Sequence, residues 1–464
     1  RLRSVRMLVA VCRAQTDKIY MHLDEHGVSV GLVYQVERMR AQLTRVSKLI
    51  ELRAAADSGA EDVQLLAQTL LGDLIVAHHH RASIGRLVQR SFSLVARKMV
   101  ERHAQHGELY LVTNRLEYRS VLKAAGIGGV IVGLAMVGRL LLPHISLAGF
   151  FQGVLVSVGY MLVFLVIAAF GGILAAQQSA VAAPALAAHL GSLDTPFEMR
   201  AVQSQASGLL RVQSAGLVGN LVLLIPVILL SGVLLFWFDG QHLLSTDAAL
   251  QHLRQLSVLG FSPLFAIWTG VLLCLAGLAA GFADNWFALR QMHQALAQHR
   301  RLVRVFGAMR AVAVADWLER NLARIVGAVV LGLLFGMTPV VAQFFGLTLD
   351  VRHVSFAAAS LAAAAASLGW TVALTTQFWL ALAGVVVIGI LNVGVAFAGA
   401  LALASSARGV PTRRRWLVAR ALLYKLITDS HFSLWPRKQA EQTHSKPLND
   451  PTMEVPDRRS HAQR

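Results

Sequence analysis

Apolar and polar positions are unevenly distributed along this chain. Between Ala124 and Ala404 the apolar residues gather into six runs: Ala124–Leu142, Gly153–Ala176, Ala215–Phe238, Leu264–Ala283, Ile325–Leu347 and Phe378–Ala404. Most of the charge falls between them. A helix needs roughly 20 apolar residues to cross a hydrocarbon core, and in lipid a spanning helix must bond its own backbone polar groups. Each run therefore predicts a membrane-spanning helix. The expected fold is all-α: a polytopic membrane helical bundle of about six spans over residues 121–405. It is preceded by a cytoplasmic helical domain (1–120) and followed by a basic, partly disordered cytoplasmic tail (406–464).

One segment puts the number of spans to the test. Val354–Thr376 is 23 residues long, uncharged and rich in alanine. Alanine is close to neutral as a membrane residue, so its drive to insert is weak. A crossing here would also carry the Arg-rich tail to the opposite side. The expectation is an amphipathic or re-entrant helix packed against the bundle.

Ahead of the first run the pattern changes to that of helices with one apolar seam. Leu32, Val36, Met39, Leu43, Val46 and Ile50 recur at steps of four and three, the spacing of a single helical face. Asp57–Gly59 interrupts them. A second helix is predicted from about Glu61 to His80, with Leu66, Leu70 and Leu74 on one face. Ser83 is a plausible N-cap for a third, which carries Ile84, Leu87, Val88, Val95 and Met99 and stops at Gly107. Three such helices would bury their seams against one another.

Charge changes the picture by its placement. The chain has 43 Lys and Arg against 25 Asp and Glu, with 55% hydrophobic and 15% charged residues and a mean hydropathy of +0.56. The stretch Arg290–Arg324 holds seven arginines, and the tail opens with Arg408, Arg413, Arg414, Arg415, Arg420 and Lys425. Gly240–Pro263 has only Arg254, Thr348–Gln377 only Arg352, and Pro143–Gln152 has neither Lys nor Arg. By the positive-inside bias, these alternate as six spans require, with both termini and the loop Gln177–Ser214 in the cytoplasm. That loop is expected to lie along the membrane surface as an amphipathic helix. The lipid bilayer is the implied environment, with anionic lipid held at the Arg-rich loops. Cys12 and Cys274 give no disulfide framework. The chain starts at Arg1 rather than Met, which implies sequence upstream. The tail beyond Trp435 is polar and proline-bearing and is expected to be disordered.

Four stretches carry a family resemblance. They are Leu87–Arg102 (LVQRSFSLVARKMVER) followed by Gly107–Tyr110 (GELY), Val181–Ala188 (VAAPALAA), His299–Leu302 (HRRL) and Phe345–His353 (FGLTLDVRH). In order, they resemble a bacterial family of inner-membrane proteins labelled site-specific recombinase. The resemblance implies a longer parent chain, an inner-membrane location and, by label, DNA recombination. It brings no catalytic residues that transfer to this sequence.

The label can be weighed against the residues. A tyrosine recombinase uses arginines and a histidine to stabilise the pentacoordinate phosphate, and a tyrosine as nucleophile. Here His78 and Arg81 form a His-x-x-Arg, followed by His103 and His106 and then by Tyr110 and Tyr118. The tyrosine spacing does not fit, the glycine usual beside the histidine is missing, and His461–Arg464 repeats the same pattern in the tail. His78, Arg81, Tyr110 and Tyr118 are thus weak candidates rather than a complete set. No strand–helix alternation exists to host a serine recombinase. Adjacent histidines on a helix point about 100° apart. His80 has Val76 and Ala77 one turn before it and Ser83 and Ile84 one turn after, so neither a metal nor a cofactor is expected.

Polar groups within a span are functional candidates by default. Asn220, Gln343 and Asn392 are the deep ones, with Pro226 and Pro339 as kink points. Arg139 is near enough to a span end to snorkel, and Asp284 and Asn285 fall at a span boundary. No carboxylate stands inside the six runs. The expected function is a non-enzymatic membrane scaffold or partner-binding protein, with a protein partner or a homo-oligomer. A membrane-associated recombination factor, which would need nucleic acid as a less favoured partner, is the alternative, and small-solute transport is the weaker one.

Overall fold

Only a helix or a closed barrel satisfies an apolar backbone in lipid, and the computed structural model takes the helical route at every one of these runs. It describes residues 2–26, 30–58, 63–81, 115–141, 147–173, 196–407 and 420, with no strand among them. The helices are α1 (Leu2–His26), α2 (Val30–Ser58), α3 (Val63–Arg81), α4 (Arg115–Leu141), α5 (Gly149–Ala169), α6 (Pro196–Asp239) and α7 (Thr246–Leu256). They continue with α8 (Ser262–Leu289), α9 (Met292–Ala297), α10 (Arg300–Phe306), α11 (Ala308–Phe344), α12 (Val354–Leu368), a 3-10 turn (Trp370–Leu374) and α13 (Thr376–Ala407). Six are long and apolar enough to cross a membrane: α4, α5, residues 211–239 of α6, α8, α11 and α13. Alternating crossings gather the starts of α4, α6 and α11 and the ends of α5, α8 and α13 on one face. That face also carries α9 and α10 and is called here the Arg-rich face. The opposite, Arg-poor face carries α7.

The helices outrun the apolar runs that predicted them. α11 begins at Ala308, not Ile325, so the expected loop 290–324 is largely helical, made of α9, α10 and the first turns of α11. α6 likewise begins at Pro196, inside the expected loop Gln177–Ser214, whose residues 177–195 lie outside the described ones. Hydropathy marks only the length that lipid can cover. Beyond it, Arg, Glu, Gln and Ala remain good helix formers and the backbone keeps going. α5 instead stops at Ala169, earlier than expected, where Phe170 and a left-handed Gly171 (φ 68°) close it.

Small residues let the spans approach. α4 meets α6 through glycines, and a Cβ on Gly129 would collide with the carbonyl oxygen of Asn220. α5 meets α11 in the same way, where a Cβ on Gly336 would collide with Ser157. With no hydrophobic drive between helices in lipid, such close approach is what gives van der Waals contact its strength.

α12 does not cross. Its 15 residues reach about 22 Å, short of the roughly 30 Å of a hydrocarbon core. Nor is it amphipathic. Val354, Ser355, Ala357, Ala358, Ala359, Leu361 and Ala362–Ala364 are all buried, and it packs among α4, α6, α7 and α13. It starts beside Asn392, halfway along α13, and ends where Ser367 Oγ accepts from Leu244 N, beyond the end of α6 (3.1 Å). The connection after α11 thus dips back into the bundle and α12 climbs out again. Alanine suits this position because it fills a narrow slot between larger helices.

In the N-terminal region α1 packs on α2 and α2 on α3, and an ion pair joins Lys48 to Asp73. The predicted seam is buried unevenly. Val36 is 3% exposed, whereas Met39 and Val46 are 39% and 40% exposed. The helix predicted from Ser83 lies outside the described residues. α1 had no counterpart in the periodicity, where Arg3, Arg6, Arg13 and Lys18 break up its apolar positions.

Candidate functional site

A dense polar cluster sits where the re-entrant connection meets the spans. Arg352 N donates to Thr269 Oγ1 of α8 (2.8 Å), and Val354 N donates to Asn392 Oδ1 of α13 (3.0 Å). Asn392 Nδ2 donates in turn to Ala266 O and to Arg352 O, both at 3.0 Å. One amide therefore satisfies a helix start, a loop carbonyl and a neighbouring span, and it is fully buried. On the other side Ser355 Oγ donates to Asn220 Oδ1 of α6 (2.8 Å). Four segments far apart in sequence are joined by hydrogen bonds within a few residues of His353.

His353 is 1% exposed and forms the N-cap of α12, its Nδ1 accepting from Ser355 N (3.3 Å). That bond assigns the ring hydrogen to Nε2, a buried donor with no protein acceptor among the described residues. Burial lowers the His353 pKa to about 4, so the ring is neutral at physiological pH. It lies against Phe335 and Phe356, with ring centroids 5.8 and 5.5 Å away. Tyr160 and Phe164 of α5 complete this aromatic wedge, Tyr160 standing 5.0 Å from Phe356.

Towards the Arg-poor face the chemistry turns cationic. Arg352 Nη2 reaches Gln255 Oε1 of α7 (3.3 Å) and Asp350 Oδ2 (3.1 Å). Arg139, near the end of α4, donates to the Tyr160 hydroxyl (2.9 Å). Burial, then Arg352 and Arg139, hold the pKa of His252 below the ordinary imidazole range.

Asn220 and Asn392 are 1% and 0% exposed, and both belong to the cluster. Gln343 does not. It is exposed on the last turn of α11, because that helix ends at Phe344 rather than passing deeper. His78 and Arg81 close α3, and Tyr110 lies outside the described residues. Tyr118, in the first turns of α4, is 4% exposed and packed with Val212 and Ala215 of α6. Asp284 and Asn285 are buried inside α8 at 8% and 5% exposure. Both lie in the last two turns of α8, which runs to Leu289, past the Ala283 end of the apolar run. Among the described residues no group of three His, Cys, Asp or Glu side chains is arranged to hold a metal. Arg352 and His353 were not singled out as site residues, since they fall between apolar runs. The signal that could have found them is their position at the end of the Phe345–His353 stretch that carried the family resemblance.

On the Arg-rich face, His293 of α9 bonds Asp316 of α11 (2.6 Å), with Glu319 at 4.0 Å. Exposed apolar residues are interleaved there with arginines. Val305 is 71% exposed, Met309 88% and Trp317 55%, beside Arg301, Arg304, Arg310 and Arg320.

No curated protein and no solved structure matches the chain. A family model does, over residues 1–436, under the description site-specific recombinase. With that match covering nearly the whole length, and with six helices able to cross a membrane, this chain is a multi-pass membrane member of the site-specific recombinase family.

Proposed function

We propose that this protein acts as a non-enzymatic scaffold of the bacterial inner membrane, with its Arg-rich face and both termini in the cytoplasm. The observation that carries this reading is the extension of two spans beyond any bilayer. α6 has 44 residues and α11 has 37, about 66 and 55 Å of helix against roughly 30 Å of hydrocarbon. On α11 the extension is braced by α9 and α10 and presents Met309 and Trp317 among arginines. Such a surface suits a protein partner or a second copy of the chain, while the arginines closest to the spans suit anionic lipid. The orientation rests on the positive-inside bias of the sequence.

The family label favours a second reading, a membrane-associated factor in DNA recombination. Its weak point is the nucleophile. Tyr118 is enclosed by α6, and phosphoryl transfer needs a hydroxyl open to a duplex.

Two measurements on the full chain in lipid nanodiscs separate the readings. A scaffold should show no saturable binding of duplex DNA, whereas phosphate contacts would give an affinity that falls steeply with salt. Cysteine cross-linking from position 309 should report one defined neighbour, and Trp317→Asp should abolish it. Salt-sensitive duplex binding, or a covalent adduct of Tyr110 or Tyr118 with a suicide DNA substrate, would reverse the order of the two readings.

A further inference from the structure

We propose that Arg139, His252 and Arg352, together with Gln255 and Tyr160, form a binding site on the Arg-poor face for a small oxyanion, a phosphate or carboxylate group. This site is on the opposite face from the scaffold surface and does not depend on that reading.

Four segments distant in sequence bring these groups together. Arg139 comes from the end of α4 and is fixed by the Tyr160 hydroxyl at 2.9 Å. His252 and Gln255 lie three residues apart on α7, hence on one side of that helix. Arg352 comes from the re-entrant connection, where Thr269 holds its backbone N–H and Asn392 its carbonyl. Its guanidinium touches Gln255 at 3.3 Å, and Arg139 is linked to the same side through Tyr160, whose ring stands 5.0 Å from Phe356, four residues on from Arg352. Arg139 could have snorkelled outward alone.

The charge count selects the ligand. Asp350 meets Arg352 at 3.1 Å and offsets one of the two guanidiniums. The two arginines and Asp350 together leave one positive charge, which suits a monoanion. Arg352 Nε adds a second, independent pointer. It is a buried donor with no protein acceptor among the described residues, on a side chain only 19% exposed. Planar guanidinium donors in a fixed position match the oxygens of phosphate and carboxylate better than a halide. Tyr160, whose ring packs on Phe356, gives the site an apolar wall. A free anion and a phospholipid headgroup share this chemistry.

The test uses the full chain purified in non-ionic detergent, at fixed ionic strength in chloride. Radiolabelled inorganic phosphate and acetate are assayed by equilibrium dialysis, and lipid is assayed by comparing nanodiscs of phosphatidylcholine with and without phosphatidylglycerol. One saturable site per chain is expected for at least one probe. Its affinity should drop by about tenfold or more in Arg139→Gln and in Arg352→Gln, the loss of one charge-assisted pair, and hold in Arg254→Gln. Arg139→Gln removes a largely exposed side chain, so it keeps the test open if Arg352→Gln fails to fold. Saturation by phosphatidylglycerol but not by free phosphate assigns the site to a headgroup, and the reverse assigns it to a solute. No saturable binding of any probe, or binding undiminished in both variants, overturns the proposal.

Discussion

Around Asn392 the polar atoms are sealed inside the bundle and bonded across helices, whereas on α9–α11 the charged groups meet in the open. Asn392 is fully buried and makes three bonds to three separate places. His293 and Asp316 make a shorter contact, but their side chains are 34% and 46% exposed. Distance alone would rank the second as stronger. Burial reverses the order, because an exposed pair exchanges one set of water contacts for another, while a buried amide deprived of its partners leaves them unsatisfied. The interior cluster therefore fixes the arrangement of the spans, and the Arg-rich face is left adjustable.

Substitutions in the two regions should differ accordingly. The largest effect is expected from Asn392→Leu, which leaves Val354 N, Ala266 O and Arg352 O without their partner. A loss of about 2–4 kcal/mol, read by denaturant unfolding in detergent, is the expected outcome, and a loss below that of any exposed pair would remove the contrast. Gly336→Val comes next, since added carbons must displace the Ser157 backbone. Overpacking of this kind costs about 1–3 kcal/mol, visible as a lowered Tm and weakened protection of α5 in hydrogen exchange. Asn220→Ala should cost about 1 kcal/mol, since among the described residues the Ser355 hydroxyl loses its acceptor. Asp316→Asn should cost well under 1 kcal/mol and leave the bundle's unfolding midpoint nearly unchanged.

The smallest effect is one of pH. Burial and the two nearby arginines hold the folded-state pKa of His252 below its unfolded value. A lowered histidine pKa means that the unfolded chain binds the proton first, so this stability is complete above the unfolded value near 6.5. It is lost as pH falls below that. His252→Gln should flatten the decline in Tm between about pH 7 and pH 5, and an unchanged slope would place the acid sensitivity elsewhere.

How far the sequence leads depends on which force is read. Span number was legible because hydropathy over 20 residues reports the hydrophobic transfer that dominates in lipid. Helix length was not, as α6 and α11 show, because beyond the membrane the backbone has no reason to stop at Ala215 or Ile325. α12 stayed ambiguous because alanine is nearly indifferent between lipid and protein, and only its neighbours settle its place. Asn220 and Asn392 stood out as amides in apolar surroundings. Gln343 stood out for the same reason, and a helix ending one residue later put it at the surface. Arg352 and His353 carry no periodic signal at all. Their role depends on α8, α6 and α13, which are distant in sequence and meet only once the bundle has closed.

That dependence has a consequence for the order of assembly. A chain is made from its N-terminus, so the ribosome finishes α12 before it has built Asn392, the residue that receives Val354 N and holds Arg352 O. From Arg352 to Asn392 is 40 residues, and while they are added, at 5–20 residues per second a few seconds, the connection has no partner on its far side and α12 is too short and too neutral to insert by itself. The last span thus acts as a latch rather than as one more crossing. A chain truncated before α13 should insert its first five spans and leave Val354–Leu368 open to proteases, however complete the rest of the membrane domain is.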